Sequence, residues 1–70
     1  MKHYKLVERV TEEEDIKDMV ILLSTEYKEP ESILQIEDNY YILRIVKNGW
    51  LYYMHRKDDK IIKICIYREE

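Results

Sequence analysis

Residues 40–57 read YYILRIVKNGWLYYMHRK, and this stretch decides the fold. Asn48-Gly49 separates two runs rich in β-branched and aromatic residues, which are typical of strands. Both residues tolerate the positive φ angles of a type I′ turn, so the sequence predicts a two-residue β-hairpin. Its predicted strands are Tyr40–Lys47 and Trp50–Lys57.

The same alternation continues toward the carboxyl end. Asp58-Asp59 predicts a second two-residue turn, and Lys60–Tyr67 predicts the next strand. A bulge in either strand would move the residues beyond it to the opposite face of the sheet. Without a bulge, the predicted pairs are His55 with Ile62, Tyr53 with Ile64 and Leu51 with Ile66.

Two further strands are predicted on the amino-terminal side of the hairpin. Residues 3–10 alternate with a period of two until Val7 and Glu8 interrupt the pattern, which favours an edge strand or an early strand end. Ser32–Glu37 is a second short candidate strand. The turn after Ser32–Glu37 cannot be assigned from the sequence.

One helix is predicted between these strands. Residues 11–14 (Thr-Glu-Glu-Glu) form a capping box, which predicts a helix start at Thr11. Pro30 disfavours helical geometry in the residue before it, so the helix is expected to end at Tyr27 or Lys28. Apolar residues at helical spacing form one stripe of Ile16, Met19, Val20, Leu23 and Tyr27, with Ile21 and Leu22 off the stripe.

These elements predict a single small α+β domain over residues 1–70. The order is β-α-β-β-β-β, with one amphipathic helix packed on one face of an antiparallel β-meander. The sheet face expected under the helix is mostly aliphatic and holds Ile42, Val46, Leu51, Tyr53, Ile62, Ile64 and Ile66. The other face is expected to stay uncovered and to bind a partner through Tyr41, Leu43, Ile45, Lys47, Trp50, Tyr52, Met54, Arg56, Lys63 and Tyr67.

The composition favours a cytoplasmic globular protein without disulfides. Cys65 is the only cysteine, and a lone thiol is typical of a reducing compartment. The first residues, Met1-Lys2-His3, resemble neither a signal peptide nor a membrane span. Few amides with many lysines and glutamates suit a thermophile, and an AT-rich genome gives a similar bias.

No residue pattern predicts catalysis, a metal site or a cofactor. His3 and His55 do not have zinc-site spacing with Cys65. Gly49 is the only glycine, so no glycine-rich loop can bind a phosphate. The acidic residues 12–15 fit the favourable end of a helix dipole. We therefore expect no enzymatic activity.

Charge and aromatic residues give the strongest hint of a ligand. Residues 11–40 hold ten acidic and two basic groups, whereas residues 41–70 hold seven basic and four acidic groups. The predicted uncovered face mixes tyrosines and Trp50 with cations, which could stack on bases and contact phosphates. The net charge of −3 opposes such binding, so we expect affinity for nucleic acid weaker than about 10 μM at physiological salt.

Residues 40–68 place Arg44, Tyr53 and the aliphatic run Ile62–Ile66 on successive strands. This arrangement resembles the C-terminal meander of RelE-like ribosome-dependent toxins. The resemblance implies RNA cleavage with Arg44 and Tyr53 in the site. The chain departs from those toxins because they are basic and have two N-terminal helices, whereas this chain is acidic and predicts one.

The sequence supports three functional classes, in order of preference. The first is a small protein-interaction or regulatory module that forms a homodimer or binds a protein through the uncovered sheet face, because a 70-residue chain has a marginal core of its own. The second is a nucleic-acid-binding module that uses the same face. The third is a RelE-like ribonuclease.

Overall fold

The computed structural model describes residues 2–26 and 32–70 and confirms the α+β class. The predicted helix end at Tyr27 or Lys28 lies outside the described residues, as does the end of the apolar stripe. The elements have the predicted order: β1 (Tyr4–Val10), α1 (Glu13–Glu26), β2 (Ser32–Glu37), β3 (Tyr40–Lys47), β4 (Trp50–Lys57) and β5 (Lys60–Glu69).

The strands form one antiparallel sheet in the order β1-β5-β4-β3-β2. The four carboxyl-terminal strands are a meander, because each pairs with its neighbour in sequence. β1 pairs with β5, so the two ends of the chain meet, and β1 is an edge strand. Its register slips between Leu6 and Glu8, leaving Val7 as an extra residue where the sequence pattern breaks.

Helix α1 starts one residue later than the capping box predicts. The amide of Ile16 donates a 2.9 Å hydrogen bond to the carbonyl of Glu12, which makes Glu12 rather than Thr11 the residue before the first turn. Three acidic residues occupy that turn, where the helix dipole favours negative charge. The predicted stripe is correct where it is described, since Ile16 and Leu23 are buried and Ile21 and Leu22 are exposed.

The first hairpin has the predicted register throughout. Lys47 pairs with Trp50, Arg44 with Tyr53 and Tyr41 with Arg56. Asn48 has a φ of 54° and Gly49 a φ of 83°, as the two positions of a type I′ turn require.

The second hairpin begins as predicted and then departs from the predicted register. Asp58 and Asp59 both have positive φ, and Lys57 pairs with Lys60 across the turn. Beyond the next pair the register shifts, because Ile62 is an extra residue in β5. His55 therefore pairs with Lys63 instead of Ile62. Every β5 residue from Lys63 onward lies on the opposite face from the one predicted.

This bulge reverses the assignment of the two sheet faces. Ile64 pairs with Met54 and Ile66 with Tyr52, so the aliphatic side chains of β5 share a face with Ile45. The side that packs against α1 is called the covered face, and the opposite side is called the open face. The prediction that the helix covers Ile42, Val46, Leu51 and Tyr53 is wrong. The cluster that includes the helix residues consists of Val10, Ile16, Leu23, Ile45, Met54, Ile64 and Ile66. Leu51 is also buried, but on the open face.

Candidate functional site

The ten residues predicted to bind a partner are divided between the two faces. Lys63 and Tyr67 lie on the open face, because the bulge moves them there. The other eight lie on the covered face, where Ile45 and Met54 are buried and Leu43, Trp50 and Tyr52 pack against the core. Tyr41 is half-buried, and Lys47 and Arg56 are exposed.

Two cations on the covered face, Arg56 and Arg68, have local partners. The guanidinium of Arg56 lies 3.0 Å from a carboxylate oxygen of Asp59. Arg68 places its guanidinium carbon 4.5 Å from the centroid of the Trp50 ring, a cation–π arrangement. The apolar set that the sequence offered as a docking surface is therefore largely the protein's own core.

The open face, which the helix does not cover, holds arginine, lysine, histidine and tyrosine side chains. Its middle row crosses the sheet in the order Arg44, Tyr53, Cys65, Arg9, from β3 to β1. A second row, in the direction of the Asp58-Asp59 turn, holds Leu34, Ile42, His55 and Lys63. A third row, in the direction of the Asn48-Gly49 turn, holds Val46, Leu51, Tyr67 and Leu6.

The charges on these three rows have one sign. Arg9, Arg44 and Lys63 are cationic, and among the described residues none of the rows contains a carboxylate. Glu37 and Glu69 stand at opposite ends of the same face, outside the rows. The acidic residues of the first helical turn are on α1, against the other side of the sheet. The open face is therefore a basic surface on a chain with net negative charge.

Three tyrosines border these cations. The rings of Tyr53 and Tyr67 meet edge to face with centroids 5.5 Å apart. The hydroxyl of Tyr40 is 2.7 Å from Nδ1 of His55, and the two rings are also edge to face. Tyr40, Tyr53 and Tyr67 are half-buried, so each is held by neighbours while part of its surface remains accessible.

His55 lies in a setting that disfavours its charged form. Burial lowers the pKa of His55 below its ordinary value of 6.5, and the nearby Lys63 ammonium lowers the pKa further. The imidazole is therefore neutral at neutral pH, and Tyr40 supplies a hydroxyl that can donate to Nδ1. A bound anion beside His55 would oppose this shift.

A groove of about 560 Å³ lies on the β2–β3–β4 half of the open face. Arg44, Tyr53 and His55 line it together with the aliphatic side chains of Leu34 and Ile42. A second groove of about 580 Å³ lies between α1 and the Asp58-Asp59 hairpin. Four isoleucines and Val20 form half of its lining. Its charged groups are two acidic and two basic residues, so it has no preference for an anion or a cation.

Other features that the sequence singled out do not form a site. Cys65 is buried between Arg9 and Tyr53 in the middle row, which limits access to its thiol. Within residues 2–26 and 32–70, no three histidine, cysteine or acidic side chains are placed to hold a metal ion. Over the same ranges, no helix combines the length and apolar character needed to cross a bilayer.

Sequence reasoning missed Arg9 and Tyr40 as members of the basic and aromatic surface. It also placed Arg44, Tyr53 and His55 on the face predicted to lie under the helix. The pair Ile61-Ile62 could have indicated the bulge in the sequence. Two consecutive isoleucines interrupt the alternation of Lys60 and Lys63 with their apolar neighbours. A bulge there keeps both lysines on one face and the core isoleucines on the other.

Comparisons with known proteins identify no relatives. No protein-family model matches the chain, and no curated protein or solved structure matches it either.

Proposed function

We propose that this protein binds single-stranded nucleic acid on the open face of its sheet. The observation that carries the proposal is the bulge at Ile62, which places the β5 isoleucines under the helix and gathers arginine, lysine and tyrosine side chains on the other side. Cationic grooves with aromatic side chains are the usual means of binding single strands without strong sequence preference.

The charge distribution supports an anionic ligand in spite of the net charge. Arg9, Arg44 and Lys63 span the sheet from β1 to β3 on one face. The local potential of a surface steers an approaching polyanion more than the distant charges of α1 do, because salt screens interactions beyond roughly 10 Å. About three phosphate contacts would give a salt dependence with a slope near −2 in a plot of log affinity against log salt.

The aromatic side chains support a single strand over a duplex. The bases of a duplex are stacked inside it, so they cannot contact Tyr53 or Tyr67. A base stacked on an aromatic side chain contributes about 1–3 kcal/mol. We expect dissociation constants in the tens of micromolar at physiological salt, within the usual range for sequence-independent binding.

Fluorescence anisotropy with a short labelled oligonucleotide tests the proposal. Arg9→Gln should weaken binding and lower the salt slope by about 0.7. Arg56→Gln removes the same charge from the covered face, where Arg56 contacts Asp59, and should leave binding nearly unchanged. Equal effects of the two variants would show that net charge alone drives binding and would refute the proposed surface.

A matched tyrosine pair tests the aromatic part. Tyr53→Leu and Tyr41→Leu each remove a half-buried ring, from the open face and the covered face respectively. Tyr53→Leu should weaken binding at least fivefold, because it removes a stacking surface. Tyr41→Leu should change binding less than twofold. Tight binding of a duplex, or no effect of Tyr53→Leu, would contradict a single-strand platform.

The second candidate is ribosome-dependent RNA cleavage, the activity implied by the RelE-like order of residues. Arg44 and Tyr53, which carry that resemblance, are direct cross-strand partners on the open face. RNA cleavage on ribosomes that disappears in Arg44→Ala or Tyr53→Phe would support this candidate. Bound RNA that stays intact would leave binding as the activity.

A further inference from the structure

The groove on the open face has one polar side and one apolar side. Arg44 and Tyr53 are direct partners across β3 and β4, and Ile42 and His55 are the next partners on the same face. Leu34 of β2 is the neighbour of Ile42 on the other side and keeps 59% of its surface exposed. A guanidinium, an imidazole and an aromatic ring thus lie beside an aliphatic wall.

We propose that this groove is a discrete subsite for one nucleotide unit. The base packs against Leu34, Ile42 and the Tyr53 ring, and the phosphate contacts Arg44. The inference rests on the proposed function, because it assigns a position to one nucleotide within the open face. The same chemistry is offered by a free nucleoside monophosphate and by one residue of a strand.

Size and charge favour this occupant. A volume of about 560 Å³ lies within the range of pockets that hold a single small organic molecule. Arginine is suited to phosphate because its planar guanidinium can donate two parallel hydrogen bonds. The exposed aliphatic area of Leu34 would be removed from water by a flat base but not by phosphate alone. A base linked to a phosphate therefore satisfies both sides of the groove.

Arg9 provides an internal comparison for Arg44. Both arginines belong to the middle row of the open face, but Arg9 is on β1, at the far edge from the groove. A strand that crosses the face can contact both, whereas one nucleotide in the groove contacts only Arg44. The two side chains therefore distinguish the subsite from the wider surface.

The test titrates 15N-labelled protein with AMP, with inorganic phosphate and with a trinucleotide, and monitors backbone amide shifts. AMP should shift the amides of Arg44, Tyr53 and His55. Arg44→Gln should weaken AMP about tenfold, as expected for a lost hydrogen bond to a charged group. Arg9→Gln should change AMP binding less than twofold and still weaken the trinucleotide.

Leu34→Ser tests the apolar side with a variant that does not disturb the core, because Leu34 is exposed. It should weaken AMP several-fold and leave phosphate binding unchanged. If the trinucleotide binds the open face but AMP shifts none of the groove amides, the subsite is refuted while the proposed function stands. Phosphate binding as tightly as AMP would refute a nucleotide subsite in favour of a simple anion site. Failure of all three ligands would overturn both proposals.

Discussion

The two hairpins of the meander share a turn geometry and differ in the strand pairing beyond the turn. Asn48-Gly49 leads into a ladder that stays in register over all eight pairs. Asp58-Asp59 starts the same way, and then Ile62 shifts the register of β5 by one residue. The turn therefore fixes only the first pairs of a hairpin. A bulge beyond the turn changes the face on which the following side chains lie, and so determines which of them form the core.

The largest expected effect on stability is the difference between alanine substitutions at Ile64 and at Ile62. Ile64 is fully buried, whereas Ile62 keeps 40% of its surface exposed. Ile64→Ala should lower the free energy of unfolding by about 3 kcal/mol, because it leaves a cavity in the core. Ile62→Ala should cost less than about 1 kcal/mol. Urea denaturation measures both, and equal losses would argue for a ladder without the bulge.

The next largest effect on stability comes from substitutions in the two turns. Gly49 has a φ of 83°, so Gly49→Ala should destabilise the first hairpin by about 1 kcal/mol. Asp59 holds a φ of 62° without being glycine. Asp59→Gly should relieve that strain, and the exposed ion pair with Arg56 that it removes contributes little. A small rise in Tm is expected for Asp59→Gly and a fall for Gly49→Ala.

Much of the fold could be predicted because its signals are local. The alternation of side chains predicts the bounds of β2, β3 and β4 correctly. The Asn48-Gly49 turn predicts the register of the first hairpin. The choice of sheet face for the helix depends on the bulge at Ile62, and a one-residue slip moves the side chains beyond it to the other face. For this reason, half of the ten residues predicted as a partner surface are buried in the core or packed against it. Lys63 and Tyr67 lie on the face opposite the other eight.

Binary patterning could have located the bulge. In Lys60–Tyr67 the lysines fit one face and the isoleucines the other only if Ile62 is left out of the alternation. The cost of burying Lys63 beneath a helix exceeds the cost of a bulge, because a buried ammonium without a partner is strongly disfavoured. The open face could then have been inferred, although the grouping of Arg9 with Arg44 also requires the long-range pairing of β1 with β5.

Deleting Ile62 would make the second hairpin resemble the first. His55 would still pair with Lys63 and Arg56 with Ile61, now without an extra residue between them. We expect a folded protein whose free energy of unfolding changes by less than about 1 kcal/mol. The amide shifts of Ile64 and Met54 should remain those of a buried pair. Unfolding of the deletion variant would contradict the register, since it would mean that Ile64 had been moved off the core.

The smallest effect concerns His55 and pH. Burial, with a contribution from Lys63, lowers the pKa of His55 below 6.5, so the unfolded chain takes up this proton at a higher pH than the folded protein does. Stability should therefore be constant above about pH 7.5 with respect to this group. It should fall as the pH drops from about 6.5 through the folded pKa. Thermal unfolding between about pH 7.5 and pH 5 measures the loss.

A His55 variant and a bound ligand test whether His55 causes this pH dependence. His55→Gln should remove the part of the pH dependence that comes from this imidazole. The affinity for nucleic acid should change with pH in the opposite direction to the stability. A phosphate near His55 favours the imidazolium, so binding should become tighter as the pH falls. The free protein would thus lose stability over the same pH range in which the complex gains affinity. If both trends persist in His55→Gln, another group is responsible, and the groove beside His55 and Arg44 is not where the phosphate binds.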